Sequence, residues 1–211
     1  MKINYECAPC MLRQTKEAIE QAVDNDEERM DVTLTVLSYL NKNFKKNTKS
    51  NKLGTDLHHL IMDETGNHDP YKLLREQGNK VAEKLIPTVE AMINENPTLE
   101  RYVKAAVVGN IIDFGALDKS TDMEELIKKQ LKKKFEINDI DKLKKALANA
   151  DTLLYLADNG GEIVFDKLLI KKIKEDYDVN IILALKESPI LNDALLQDAK
   201  NLELDKYTKL I

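Results

Sequence analysis

The residues of most distinctive chemical character lie together in one short stretch of this chain. Asp158-Asn159-Gly160-Gly161-Glu162 follows the apolar run Thr152-Leu153-Leu154-Tyr155-Leu156-Ala157 and leads directly into helical spacing. An aspartate carboxylate beside an asparagine carbonyl offers two hard oxygens of the kind that divalent cations prefer. The glycine pair permits a tight turn. Behind it the start of a helix turns the backbone N–H groups of Gly160 and Gly161 toward an anion. A loop leaving the carboxyl end of a parallel strand lies on the edge where open α/β sheets bind their ligands. The same five residues also make an ordinary strand-to-helix turn.

A second stretch repeats this geometry. Leu183-Ala184-Leu185 runs into Lys186-Glu187-Ser188-Pro189-Ile190-Leu191-Asn192-Asp193. Adjacent parallel strands open their loops on one edge, so Asp193 is expected beside Asp158, with Lys186 as a positive charge for a phosphate. Taken as structure alone, Asp193 serves a helix dipole and Lys186 is a solvated lysine. In Gly109-Asn110-Ile111-Ile112-Asp113-Phe114-Gly115, polar Asn110 and Asp113 punctuate an apolar segment. They either line a pocket or cap the helix before them. Cys7-x-x-Cys10 has metal or redox spacing but is half of a four-thiolate site; two reduced thiols are the plainer reading. His58, His59 and His68 are the other soft candidates.

The elements that must position these residues change character halfway along the chain. Residues 1 to about 98 read as a helical domain. Pro9 opens the first helix. The second covers Glu27 to Phe44, with Met30, Leu34, Leu37, Leu40 and Phe44 as its apolar stripe. Asn41 to Lys52, with five lysines, is mostly loop, and Leu53 to Glu64 is helical up to Thr65-Gly66-Asn67. A longer helix from Pro70 is expected to bend at Pro87. Residues 99–211 read as an α/β domain. Thr121-Asp122-Met123-Glu124 forms a capping box for a lysine-rich helix. Strands at 152–157, 179–185 and 207–211 alternate with helices at Glu162–Tyr177 and from Pro189. Three parallel strands leave edges uncovered. Either residues 103–112 complete the sheet, a second copy in a homo-oligomer covers it, or the sheet needs more chain.

Composition narrows the classes of function. The 211 residues are 43% hydrophobic and 33% charged, and 32 basic against 37 acidic groups give a net charge of −5. That supports a globular core rather than disorder. Arg13, Arg29, Arg75 and Arg101 are the only arginines, which argues against nucleic acid as a partner. No apolar run approaches the roughly 20 residues of a membrane span, and the N-terminus lacks a signal-peptide core, so no membrane partner and a cytoplasmic location are expected.

Five motifs in order resemble a known family. Cys7-x-x-Cys10, Thr65-Gly66-x-x-Asp69-Pro70-Tyr71, Gly109-Asn110-x-Ile112-Asp113-Phe114-Gly115, Asp158-Asn159-x-Gly161-Glu162 and Lys186-x-x-Pro189-x-x-Asn192-Asp193 are similar to the cysteine-bearing archaeal and bacterial branch of the metal-dependent damage-control phosphatases. The likeness spans the whole chain. It implies a helical N-terminal bundle and a three-layer, Rossmann-like α/β domain with a mostly parallel sheet, here lacking its C-terminal part. It also implies hydrolysis of phosphate monoesters of small metabolites, sugar phosphates or damaged phosphometabolites, with Mn2+, Ni2+, Co2+ or Mg2+. By position, Asp158, Asn159 and Asp193 resemble the metal ligands and Asn110 and Asp113 the substrate-side pair. Glu162 is set on that side too, and Lys186 joins it by the loop geometry alone and not by the resemblance; Cys7 and Cys10 are the candidates for a second metal or redox pair. A phospho-aspartate on Asp158 ranks lower, because no second aspartate lies two residues away. The alternative function is a non-catalytic metal- or nucleotide-binding module that uses the cysteines structurally.

Overall fold

A computed structural model describes residues 2–111 and 123–211. Asp113 and the start of the expected capping box therefore lie outside the described residues. Packing divides the chain into two compact units, Met1–Leu73 with Pro189–Leu191, and Leu74–Ser188 with Asn192–Ile211.

In the first unit, α1 (Cys7–Ala22), α2 (Asp26–Asn43) and α3 (Ser50–Thr65) enclose one apolar core. Met11, Thr15, Ala18 and Ile19 of α1 are buried at helical spacing. Asn25 caps α2, accepting hydrogen bonds from the N–H groups of Glu27 at 2.8 Å and Glu28 at 3.1 Å. The buried stripe of α2 is not the expected one. Val32, Val36 and Leu40 face the core, whereas Met30, Leu34 and Leu37 are 60%, 57% and 45% exposed. This helix is apolar on two faces, so spacing alone offers two stripes and the neighbouring helices choose between them.

The second unit begins on α4 (Lys72–Asn94), which continues through Pro87. Residues 103–112 were one of the segments that could complete the sheet; instead Leu99–Ile111 is the helix α5. Among the described residues, α6 (Met123–Lys132) and α7 (Ile140–Asn149) come before the sheet, the latter without a counterpart in the sequence expectations. Then come β1 (Thr152–Leu156), α8 (Glu162–Asp176), β2 (Asn180–Ala184), α9 (Leu196–Asn201) and β3 (Lys209–Leu210). Pro189 does not open a helix, since α9 starts at Leu196.

The strands are parallel in the order β1-β2-β3, with Thr152 opposite Asn180 and Ile182 opposite Lys209. Ile181 and Leu183 of β2 share a core with Ala105 and Val108 of α5 and with Ile163, Phe165 and Ile170 of α8. The side chains of β1 alternate, and Leu154 and Leu156 point away from that core. Among the described residues the sheet therefore has β1 at one edge and β3 at the other. Among those residues no helix is long and apolar enough to cross a membrane.

Candidate functional site

The carboxyl ends of β1 and β2 release two loops that are zipped together. Asn159 and Asp193 form an isolated antiparallel bridge. On either side of it, the Gly160 N–H donates to the Asn192 carbonyl at 2.8 Å and the Ala194 N–H to the Asp158 carbonyl at 2.7 Å. Backbone pairing of this kind brings the two loops to one edge whatever their side chains do. It sets Asp158 and Asp193 side by side, as the topology requires.

Two amides and two carboxylates interlock on this edge. Asn110, in the last turn of α5, donates through Nδ2 to Glu162 Oε2 at 2.8 Å and to Asp158 Oδ2 at 3.4 Å. Asn159 Nδ2 reaches the same two oxygens at 3.2 Å from Asp158 and 3.4 Å from Glu162. The Asn159 N–H also donates to Glu162 Oε2 at 3.3 Å. Glu162 opens α8, where a carboxylate suits the positive end of the helix dipole.

Asp193 completes the group. Its Oδ2 lies 3.4 Å from Lys186 Nζ. Burial pushes the Asp193 carboxyl above its ordinary range; Lys186 partly offsets this, and the charges of Asp158 and Glu162 add to it. Three carboxylates thus crowd one edge with one lysine on Asp193. A donor set of carboxylate and amide oxygens fits a hard divalent cation, which would relieve that repulsion. Among the described residues no three His, Cys, Asp or Glu side chains form a metal cluster by themselves.

The glycines do something other than cradle an anion. The Gly160 N–H is spent on Asn192, and the Gly161 N–H donates to Asn79 Oδ1 at 2.6 Å. Neither is left to face a phosphate in this conformation. Gly161 sits at φ +80°, where a side chain is strained. A Cβ at Gly160 would lie 2.5 Å from Arg75 Cγ. The glycine pair is therefore required by the turn and by the approach of α4.

Sequence reasoning missed the supports beneath these loops. Arg75 and Asn79, four apart on one face of α4, both reach Asp198. Half-buried Tyr155 donates to Asp166 Oδ1 at 2.6 Å, tying β1 to the second turn of α8 across the loop that holds Asp158. Burial raises the Asp166 carboxyl to about 8, with the Tyr155 hydrogen bond opposing and the charges of Glu162 and Asp158 adding. One signal was available: Asp166 is an acid between the apolar runs Ile163-Val164-Phe165 and Leu168-Leu169-Ile170. The α4 pair gave no such signal. Cys7 and Cys10 lie in the first unit, unbridged, with Cys7 Sγ 3.4 Å from Asn4 Oδ1.

Known proteins resemble this chain in sequence and in fold. Residues 3–211 match the family model of the damage-control phosphatase ARMT1-like domain. An uncharacterized protein of Methanocaldococcus jannaschii, MJ0202, is 36% identical over all of this chain and 71% of its own length. The damage-control phosphatase PH1575 of Pyrococcus horikoshii is 32% identical over all of this chain and 73% of its own length. A damage-control phosphatase of Archaeoglobus fulgidus is 27% identical over 98% of this chain. The crystal structure of PH1575, described as a DUF89 family protein, superposes with a TM-score of 0.88 over the full chain. With its whole length matched and its fold shared, this chain belongs to the ARMT1-like damage-control phosphatase family.

Proposed function

We propose that this protein is a divalent-metal-dependent phosphatase that hydrolyses phosphate monoesters of small metabolites, sugar phosphates or damaged phosphometabolites. The convergence of Asp158, Asn159 and Asp193 on one sheet edge, through the Asn159–Asp193 bridge, carries this reading. Family membership supports the phosphatase class. Asp158, Asn159 and Asp193 would hold the cation, and its hard-oxygen donors suit Mn2+, Co2+, Ni2+ or Mg2+. When bound, the ion supplies Lewis acidity toward a phosphoryl oxygen and lowers the pKa of water.

The remaining roles belong to the chain itself. Asn110 holds Glu162 and Asp158 by its two amide contacts, so that neither carboxylate swings away from the edge. Glu162, fixed by donors from Asn110 and Asn159, would take a proton from the attacking water. Lys186 balances Asp193 and brings a positive charge to the side where a phosphate enters. With so little covalent work to do, catalysis is mostly positioning and charge neutralisation. Its partner is then a small phosphorylated metabolite rather than a nucleic acid or a membrane.

A phosphatase screen over sugar phosphates and phosphometabolites, run separately with the four ions, tests the reading. Asp193→Ala should abolish turnover and metal uptake together, while Cys7→Ser leaves both intact. If Cys7→Ser removes the metal and Asp193→Ala does not, the chain is a metal-binding module held by its cysteines and the phosphatase reading fails.

A further inference from the structure

Asn79 stands on α4, which contributes no carboxylate to the cluster, yet its amide joins the two segments that carry the cluster. Its Oδ1 accepts the Gly161 N–H at 2.6 Å, on the loop holding Asp158 and Asn159. Its Nδ2 donates to Asp198 Oδ1 at 2.8 Å. The other oxygen of Asp198 accepts the Leu195 N–H at 2.9 Å, two residues beyond Asp193. That same oxygen faces Arg75 Nε at 3.2 Å, one turn back on α4. Gly161 and Asp198 are both buried. Gly161, the N-cap of α8, has no side chain with which to cap anything.

We propose that Asn79 is a positioning residue of the metal-binding edge: its amide sets the separation between the loop of Asp158 and Asn159 and the segment following Asp193. This rests on the metal-dependent reading given above. The physical ground is hydrogen-bond accounting. Removing the amide leaves a buried N–H at Gly161 and a buried oxygen on Asp198 without these partners, and each unpaired group is costly. The loop relieves that cost by moving toward water, and Asp158 and Asn159 move with it. Groups one shell behind a metal ligand commonly control its affinity on the order of 10- to 100-fold.

The test is a Mn2+ titration by calorimetry on the whole chain, with thermal melting recorded in chelator. Asn79→Asp keeps the acceptor for Gly161 but sets an oxygen against Asp198 in place of the donor. Its Mn2+ affinity should fall on the order of 10-fold or more. Pairing it with Asp198→Asn reverses the polarity of the contact. Asp at 79 then accepts both Gly161 N–H and the new amide, whose oxygen still meets Leu195 and Arg75. The double variant should regain most of the lost affinity. Unchanged affinity in Asn79→Asp overturns the positioning role, and so does a double variant that regains melting temperature but not Mn2+ binding. If Asn79→Asp does not fold, the double variant decides alone: wild-type affinity upholds the role and weakened affinity overturns it. A wild-type chain that takes up none of the four ions overturns the functional reading, and the positioning role falls with it.

Discussion

Asn159 and Asp193 face each other as an antiparallel bridge between loops that leave parallel strands. Parallel strands cannot pair their own ends this way; the chain must turn back in both loops. The glycine pair after Asn159 allows one reversal, and Leu191, at φ +49°, lies in the other. The bridge places an amide side chain and two carboxylates on one rigid edge. It also accounts for the raised carboxyl of Asp193, which is half-buried beside the charges of Asp158 and Glu162.

Asp158→Asn keeps the size and turn geometry at this edge but removes one formal charge. Its Oδ2 now accepts from Asn110 and Asn159, and an amide in its place has one acceptor fewer for them. Mn2+ affinity should fall sharply while the fold survives, because a turn accepts Asn as readily as Asp. Turnover should drop on the order of a hundredfold or more, with partial recovery in excess metal. Calorimetry and initial rates measured side by side give the answer. Wild-type titration and turnover in this variant would remove Asp158 from the site.

His58 makes the first unit sensitive to acid. It is buried in α3 with its ring edge-on to Tyr71, centroids 6.1 Å apart. Burial, with a smaller contribution from His59, lowers its pKa from 6.5 to about 4. The folded state therefore favours the neutral ring. Stability from this residue is complete above pH 6.5 and is lost as the pH falls from there toward 4. The loss should be on the order of 2–3 kcal/mol. Urea midpoints for wild type and His58→Gln across this range test it: the difference between them should change with pH. Parallel curves would show that His58 does not titrate in this way.

Much of the architecture was legible because it rests on local signals. The apolar runs at 152–157 and 179–185, broken by Asp158-Asn159-Gly160-Gly161 and by Pro189, show where the strands end. A parallel sheet with unpaired edges followed from counting strands, and three are present among the described residues. What failed depended on tertiary choices. Residues 103–112 are apolar enough for a strand, yet 103–111 pack as a helix on α8 with Ala105 and Val108 in the shared core. The two apolar faces of α2 could not be ranked without their neighbours. Asn79 was invisible for another reason: its partners Gly161 and Asp198 are distant in sequence, and no spacing rule spans such a gap.

The cysteines should be dispensable for the chemistry. Cys7 is half-buried and Cys10 exposed, and neither is in a cluster of metal-binding side chains among the described residues. Thiolates also select softer ions than a carboxylate edge does. A Cys7→Ser, Cys10→Ser double variant should keep its Mn2+ stoichiometry and its turnover within about twofold, since substitutions away from a site rarely cost more than about 0.5 kcal/mol. Loss of the catalytic ion in this variant would reassign the metal.

Asp166 should make the second unit less stable as the pH rises. It sits in the core, one helical turn beyond Glu162, and accepts a hydrogen bond from the Tyr155 hydroxyl at 2.6 Å. Burial raises its carboxyl from 3.8 to about 8. The folded chain therefore keeps this proton through a range in which the unfolded chain has lost it. Stability from the protonated acid is complete below pH 3.8 and is lost as the pH climbs toward 8. Asp166→Asn retains an oxygen to accept from Tyr155 and cannot ionise, so it escapes the loss. In chelator, the variant should gain on wild type with rising pH, by on the order of 1–3 kcal/mol at pH 8. The two should converge near pH 4, where the His58 contribution is common to both and cancels. Tyr155→Phe should act in the opposite sense, leaving the carboxyl without its donor at a cost of about 1–3 kcal/mol. Urea unfolding of the three proteins at pH 4.5, 6 and 8 resolves these slopes. An Asp166→Asn variant whose stability runs parallel to wild type would mean that the carboxylate is ionised inside the fold.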